Sequence, residues 1–99
     1  MEARIDNYRG WVKGCDAEKL KPATEKLVVE SGFTVLNFME HHFEPQGYTA
    51  IWLLAESHCA LHTFPEQEKS YIELSSCNVQ MYDNFLRLLG NYFELDNNN

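Results

Sequence analysis

The chain has 99 residues, 44% of them hydrophobic and 13% aromatic, which suffices for one packed domain over residues 1–99 and leaves little for a second. Its formal charge is −7 with histidines neutral, and no group of Lys and Arg exceeds the near neighbours Lys19 and Lys21, so a nucleic-acid-binding face built on clustered positive charge is excluded. No apolar run approaches the ~18 residues of a membrane span, and residues 1–10 lack the apolar core of a signal peptide, so a cytoplasmic protein without membrane contact is expected.

Residues 5–13 carry Ile5, Tyr8, Trp11 and Val12 ahead of Gly14 and read as a strand closed by a turn. Residues 16–20 read as a short helical turn. Proline is tolerated at the start of a helix and not deep inside one. The main first helix is therefore expected from Pro22 to Ser31, with Gly32 as its stop and Ala23, Leu27 and Val28 as its buried stripe. Residues 33–43 are rich in β-branched and aromatic types and read as a strand, Leu36 and Phe38 on one side and Val35, Asn37, Met39 and His41 on the other. Residues 44–47 (EPQG) are turn chemistry, and residues 48–54 (YTAIWLL) are apolar enough for a central strand buried on both faces.

Residues 55–66 hold a nucleophile, two histidines, a thiol and two carboxylates, the densest reactive stretch of the chain. As a helix it would set His58 and His62 on one face like two zinc ligands, but Cys59 stands where a metalloprotease pattern needs Glu. As a strand, which the apolar lead-in and Pro65 favour, it would hold those backbones about 13 Å apart, too far to share one metal easily. A serine hydrolase reading of Ser57 beside His58 lacks the flanking glycines of a nucleophile elbow, and neighbouring strand residues point to opposite faces. His62 also has opposite parity to Ser57 and would reach it only if the strand bent. The plain alternative is an exposed Ser-His pair with His62 buried and hydrogen-bonded. No metal is expected.

Residues 65–69 are a second polar turn and residues 71–74 another strand. From Asn78 as N-cap, Val79, Tyr82, Phe85, Leu86, Leu89 and Phe93 recur at helical spacing, and residues 95–99 read as a frayed tail. Cys15, Cys59 and Cys77 cannot all pair within one chain and match no CxxC spacing, which points to reduced thiols. Cys77 is either a small core residue or, just before a helix start, a group suited to proton transfer. The element order predicts an α+β fold: a two-layer αβ-sandwich whose mainly antiparallel sheet carries two helices on one face. A second protomer is the simplest cover for the other face, because so short a chain buries only about 60–65% of its unfolded surface and a deep, dry site forms more easily between two copies.

Glu56-Ser57-His58, then Leu61-His62-Thr63-Phe64-Pro65-Glu66, then Cys77 together resemble the bacterial S-adenosylmethionine decarboxylase proenzyme family. Glu30-Ser31-Gly32 and residues 41–47 (HHFEPQG) extend the likeness over residues 30–77, with Cys15-Asp16 as a weaker outlying match. The resemblance implies self-cleavage between Glu56 and Ser57 into a β-chain (residues 1–56) and an α-chain (residues 57–99). In such proenzymes the serine hydroxyl attacks the preceding carbonyl, and elimination and hydrolysis leave a pyruvoyl group derived from Ser57, a carbonyl able to condense with a substrate amine. His62 matches the histidine that assists elimination and Thr49 the position of a serine that assists processing. Cys77 matches the acid that reprotonates the substrate, Phe43 the aromatic that stacks on adenine, and Glu66 the carboxylate that binds the ribose hydroxyls. The implied assembly is a homodimer with sites at its interface, and the implied product feeds polyamine synthesis. Where the family has F-T-C-G this chain has Ser75-Ser76-Cys77-Asn78, and Phe64, Thr49 and Asn7 replace a tryptophan, a serine and a histidine. These departures motivate two other expectations: a decarboxylase of arginine or ornithine, or an unprocessed regulatory homologue. The acidic excess admits a cationic amino-acid-type substrate, or merely solubilises the surface.

Overall fold

The computed structural model describes residues 4–96. In chain order it holds β1 (Asp6–Lys13), α1 (Ala17–Glu30), β2 (Val35–His42), β3 (Tyr48–Leu54), β4 (Ser57–Phe64), a 3-10 turn (Pro65–Gln67), β5 (Lys69–Ser76) and α2 (Val79–Tyr92). The strands form one antiparallel sheet in the order β1-β5-β4-β3-β2. Leu20, Leu27 and Val28 of α1 and Phe85 and Leu89 of α2 pack in one core with the inward side chains of the strands. Both helices therefore lie on one face, the expected two-layer αβ-sandwich.

Strand parity sorts the side chains. Tyr48, Ala50, Trp52 and Leu54 of β3, Cys59 and Leu61 of β4, and Ile72 and Leu74 of β5 are buried beneath the helices. Their neighbours along each strand point to the other face, which no helix or loop among the described residues covers. In-register pairing runs one row of that open face through His41, Thr49, His62, Tyr71 and Trp11, and the next through Met39, Ile51, Ala60, Glu73 and Arg9. On the β2–β3 side the open face is apolar, with Met39 69%, Leu53 50% and Ile51 41% exposed. A patch of this kind marks a contact surface more often than it faces water alone.

Several sequence expectations require correction. α1 does not wait for Pro22. It begins at Ala17, capped by the Asp16 carboxylate, which accepts the Glu18 amide hydrogen at 3.0 Å. The hydrogen bond that Pro22 forfeits is offset by a stripe at i, i+4, i+7 and i+8, namely Leu20, Thr24, Leu27 and Val28. Thr24 is fully buried, its hydroxyl donating to the Leu20 carbonyl at 2.7 Å, whereas Ala23 is only half-buried. In β2 a bulge between Val35 and Asn37 shifts the register. It moves Val35 to the core side with Phe38 and turns Leu36 outward. β3 is covered on one face of the protomer and not both. β5 extends to Ser76, two residues beyond the expected strand end. In α2, Val79 and Leu86 are exposed, and Phe85 and Leu89 face the core. At the tail Leu95 bridges Val12, and backbone bonds join Lys13 to Glu94 at 2.8 Å and Asp96 to Trp11 at 2.9 Å. Leu95 and Asp96 are thus pinned along the outer edge of β1, and residues 97–99 of the expected frayed tail lie outside the described residues.

Candidate active site

The ambiguous stretch folds as a strand because β3 and β5 pair with it on both sides, Trp52 opposite Cys59 and Leu74 opposite Cys59 in turn. Its side chains then alternate, so the reactive residues separate into two groups.

The first group surrounds the start of β4. Leu54 and Ser57 pair across a two-residue turn made by Ala55 and Glu56. Glu56 adopts φ 58°, a left-handed conformation costing a non-glycine residue about 1–2 kcal/mol. The bond between Glu56 and Ser57 follows directly on that strain. Ser57 points to the covered face and is buried, its hydroxyl donating to Ser76 Oγ at 3.1 Å. Ser76 Oγ in turn accepts the Asn78 amide hydrogen at 3.0 Å. Cys77, the next residue, is an exposed free thiol just before the α2 N-cap, where Asn78 Oδ1 accepts the Met81 amide hydrogen at 2.9 Å. Ser57 and Cys77 thus sit at one end of the sheet, and Ser76 links them. Ser76 stands in the sequence only as a departure from F-T-C-G with no role assigned, because β5 was expected to stop at Leu74; the alternation Ser70, Ile72, Leu74, Ser76 is the signal that places it on the covered face.

The second group lies at the other end of β4, on the open face. Thr49 and His62 pair in register, and Thr49 Oγ1 lies 2.9 Å from His62 Nδ1. Phe43, Gln46, Thr49, His62, Phe64 and Glu66 line a cleft of about 260 Å³. Phe43 is fixed by its amide hydrogen, which bonds the Gly47 carbonyl at 2.9 Å. That closure favours glycine, since Gly47 has φ +111°, a backbone conformation that other residues adopt only with strain. Gln46 Nε2 donates to Glu66 at 3.5 Å, bracing the carboxylate on the cleft rim. Gln46 and Phe64 were not singled out as site residues, although both flank ones that were.

Four of the expected site residues, Phe43, Thr49, His62 and Glu66, are therefore brought together, and Ser57 with Cys77 forms a second cluster. The two clusters do not meet within one chain. Ser57 and His62 lie on opposite faces, and five residues of strand separate them by about 16 Å. A third feature joins neither cluster directly: an open concavity of about 550 Å³ on the same face, lined by Asn7, Arg9, His58, Glu73 and Ser75. It borders the β4 residue that follows Ser57. The smaller cleft falls just short of the ~300–1,000 Å³ typical of small-molecule sites.

Comparison with known proteins agrees with this fold. A chain from Prochlorococcus marinus (strain MIT 9313), named an S-adenosylmethionine decarboxylase proenzyme, is 46% identical over 65 residues, covering 66% of this chain and 52% of that one. Proenzymes of the same name from Synechococcus sp. (strain WH7803) and Methanococcus vannielii are 38% and 36% identical over 69 and 70 residues, with 64% and 65% of this chain and 54% and 57% of theirs covered. The chain thus spans about half the length of these relatives. The crystal structure of the adenosylmethionine decarboxylase from Aquifex aeolicus VF5 shares the fold, with a TM-score of 0.67 at 22% identity over 91% of this chain and 83% of that one. The profile described as S-adenosylmethionine decarboxylase matches residues 12–99, and the chain belongs to that family.

Proposed function

We propose that this chain is a self-processing decarboxylase of S-adenosylmethionine whose reacting groups come from two copies. The observation that carries the reading is the separation of the two clusters along β4, with an uncovered and partly apolar face between them. A second copy laid on that face, related by a dyad in the plane between the sheets and across the strands, has its β4 reversed. Such a dyad sets the Ser57 end of one copy against the His62 end of the other, and gives the 260 Å³ cleft a second wall. It also buries Met39, Ile51 and Leu53.

Ser57 suits the cleavage chemistry. Attack of its Oγ on the Glu56 carbonyl carbon closes a five-membered ring through the serine's own Cβ, Cα and N. The C–N bond then breaks to leave an ester on Oγ and a free amine, and loss of the serine α-proton expels the Glu56 carboxylate, leaving a dehydroalanine that water converts to the pyruvoyl group with release of ammonia. Ser76 orients the hydroxyl beforehand. We assign proton transfer at the serine to His62 of the partner subunit, oriented through Nδ1 by its own Thr49. Because Ser57 Oγ points to the covered face, the proton this imidazole would take across the open face is the one on the serine α-carbon. A pyruvoyl group at residue 57 would supply a carbonyl conjugated to an amide, an electron sink that no ordinary side chain offers. Cys77, exposed at the same end, returns a proton to the substrate carbon after carbon dioxide leaves. Phe43 offers a flat apolar face for the purine and attracts a sulfonium, and Glu66 accepts hydrogen bonds from the ribose hydroxyls. The product is a decarboxylated precursor for polyamine synthesis.

Mixed dimers test the arrangement. Neither Ser57→Ala nor His62→Ala chains, expressed alone, should cleave. Co-expressed, they should yield fragments from the His62→Ala copies only, since those keep Ser57 and borrow an intact His62; intact-mass spectrometry reads the result. No fragments from the mixture would refute the shared site, and a wild-type chain found only at full length would refute self-processing. Carbon dioxide release from S-adenosylmethionine, set beside arginine and ornithine, then fixes the substrate.

A further inference from the structure

We propose that Tyr71 is a positioning residue for His62, an inference that rests on the processing role given to His62 above. The imidazole sits on an open sheet face, where a side chain without lateral support would exchange between rotamers. It is gripped from both sides. From β3, Thr49 Oγ1 engages Nδ1 at 2.9 Å. From β5, Tyr71 lies directly opposite in register, its ring stacked with the imidazole at 6.2 Å between centroids and 29° between planes, within the range of favourable ring pairs.

Tyr71 is fixed in its turn. Its hydroxyl donates to Glu73 at 2.8 Å, and Trp11 meets its ring edge-on at 5.5 Å. Trp11 is held by Phe64 at 5.4 Å and by Lys69 Nζ, 4.2 Å above its ring. The support for His62 thus crosses three strands, β1, β5 and β4, and ends in charged groups at the β1–β5 edge. With Nδ1 engaged by Thr49, Nε2 is the ring nitrogen left for proton exchange, and Tyr71 sets the direction in which it points. Orientation of this kind matters because a misplacement of about 1 Å can cost on the order of 100-fold in rate. A residue that merely covered the sheet would be replaceable by any side chain of similar bulk, and Tyr71 is not expected to be.

The test pairs a rate with a spectroscopic signature. Tyr71→Ala should slow cleavage about tenfold, Tyr71→Phe should recover most of that loss by keeping the ring, and Tyr71→Leu should stay slow although it fills the space. In a Ser57→Ala background, which holds the chain uncleaved, the His62 ring-proton NMR signals should carry the ring-current shift of Tyr71. They should lose it in the Tyr71→Ala double variant and keep it with Tyr71→Phe. Full-rate cleavage by Tyr71→Ala or Tyr71→Leu, or unchanged His62 signals without the ring, would overturn the proposal. If the wild-type chain never cleaves, the processing reading fails, and the NMR arm still decides whether Tyr71 orients the imidazole.

Discussion

The two faces of the sheet use the same strands for opposite purposes. Beneath the helices, Trp52, Leu61, Ile72 and Phe85 are fully buried, Trp52 donates its indole hydrogen to Glu25 at 3.1 Å, and among the described residues every buried side-chain nitrogen or oxygen has a partner. One residue further along each strand, the open face sets His62, Tyr71 and Glu73 in rows bordered by exposed Ile51 and Leu53. The hydrophobic core is thus concentrated on one parity, and the polar and exposed apolar rows on the other. A single step along β3, from Trp52 to Ile51 or Leu53, changes what a substitution should disturb.

Trp52→Ala should break the covered face hardest. It opens a cavity and strands Glu25, so unfolding in urea should show a loss of about 3–5 kcal/mol. On the open face, Thr49→Val removes the hydroxyl at His62 and keeps the volume. Cleavage followed by mass should slow about tenfold, while unfolding shifts by no more than about 0.5 kcal/mol, and Thr49→Ser should keep the rate. A loss of stability comparable to that of Trp52→Ala would erase the contrast. The smallest effect concerns the thiols. Burial, and secondarily the charge of Glu73, pushes Cys59 up from 9.0 to about 12. Native Cys59 should therefore resist alkylation at pH 8 where Cys77 reacts, as counting labels by mass would show. Because the folded state holds this proton more tightly than the unfolded one, its contribution to stability is complete below pH 9.0 and fades as pH rises towards about 12. Unfolding curves on either side of pH 10 should show that decline.

Most of the elements were legible in the sequence because hydrophobic period and punctuation agree over β1, β3, β5 and α2. Where they conflict, tertiary packing decided. Pro22 reads as a helix start, yet the Asp16 cap and the burial of Leu20 carry α1 through it. The apolar run of β3 reads as buried on both faces because sequence cannot say whether Ile51 and Leu53 meet a partner or solvent. For the site, the residue types at 43, 49, 57, 62, 66 and 77 were visible, and so was the opposite parity of Ser57 and His62. What the sequence could not supply was the distribution in space: a cleft gathering Phe43, Thr49, His62 and Glu66, and a separate hydroxyl cluster at Ser57 and Ser76. Register sets that distribution, and register is a property of strand pairs, not of one strand read alone.

The strand order has a consequence for a chain cut at the Ala55–Glu56 turn. The piece from residue 57 onward contributes β4 and β5, which lie in the middle of the sheet, flanked by β1 on one side and β3 on the other. The two fragments would be interleaved, each completing ladders the other began, so scission would leave the architecture in place. Reversibility is what would be lost: once denatured, such a nicked protein must find its missing half by diffusion, and its apparent stability becomes a function of concentration.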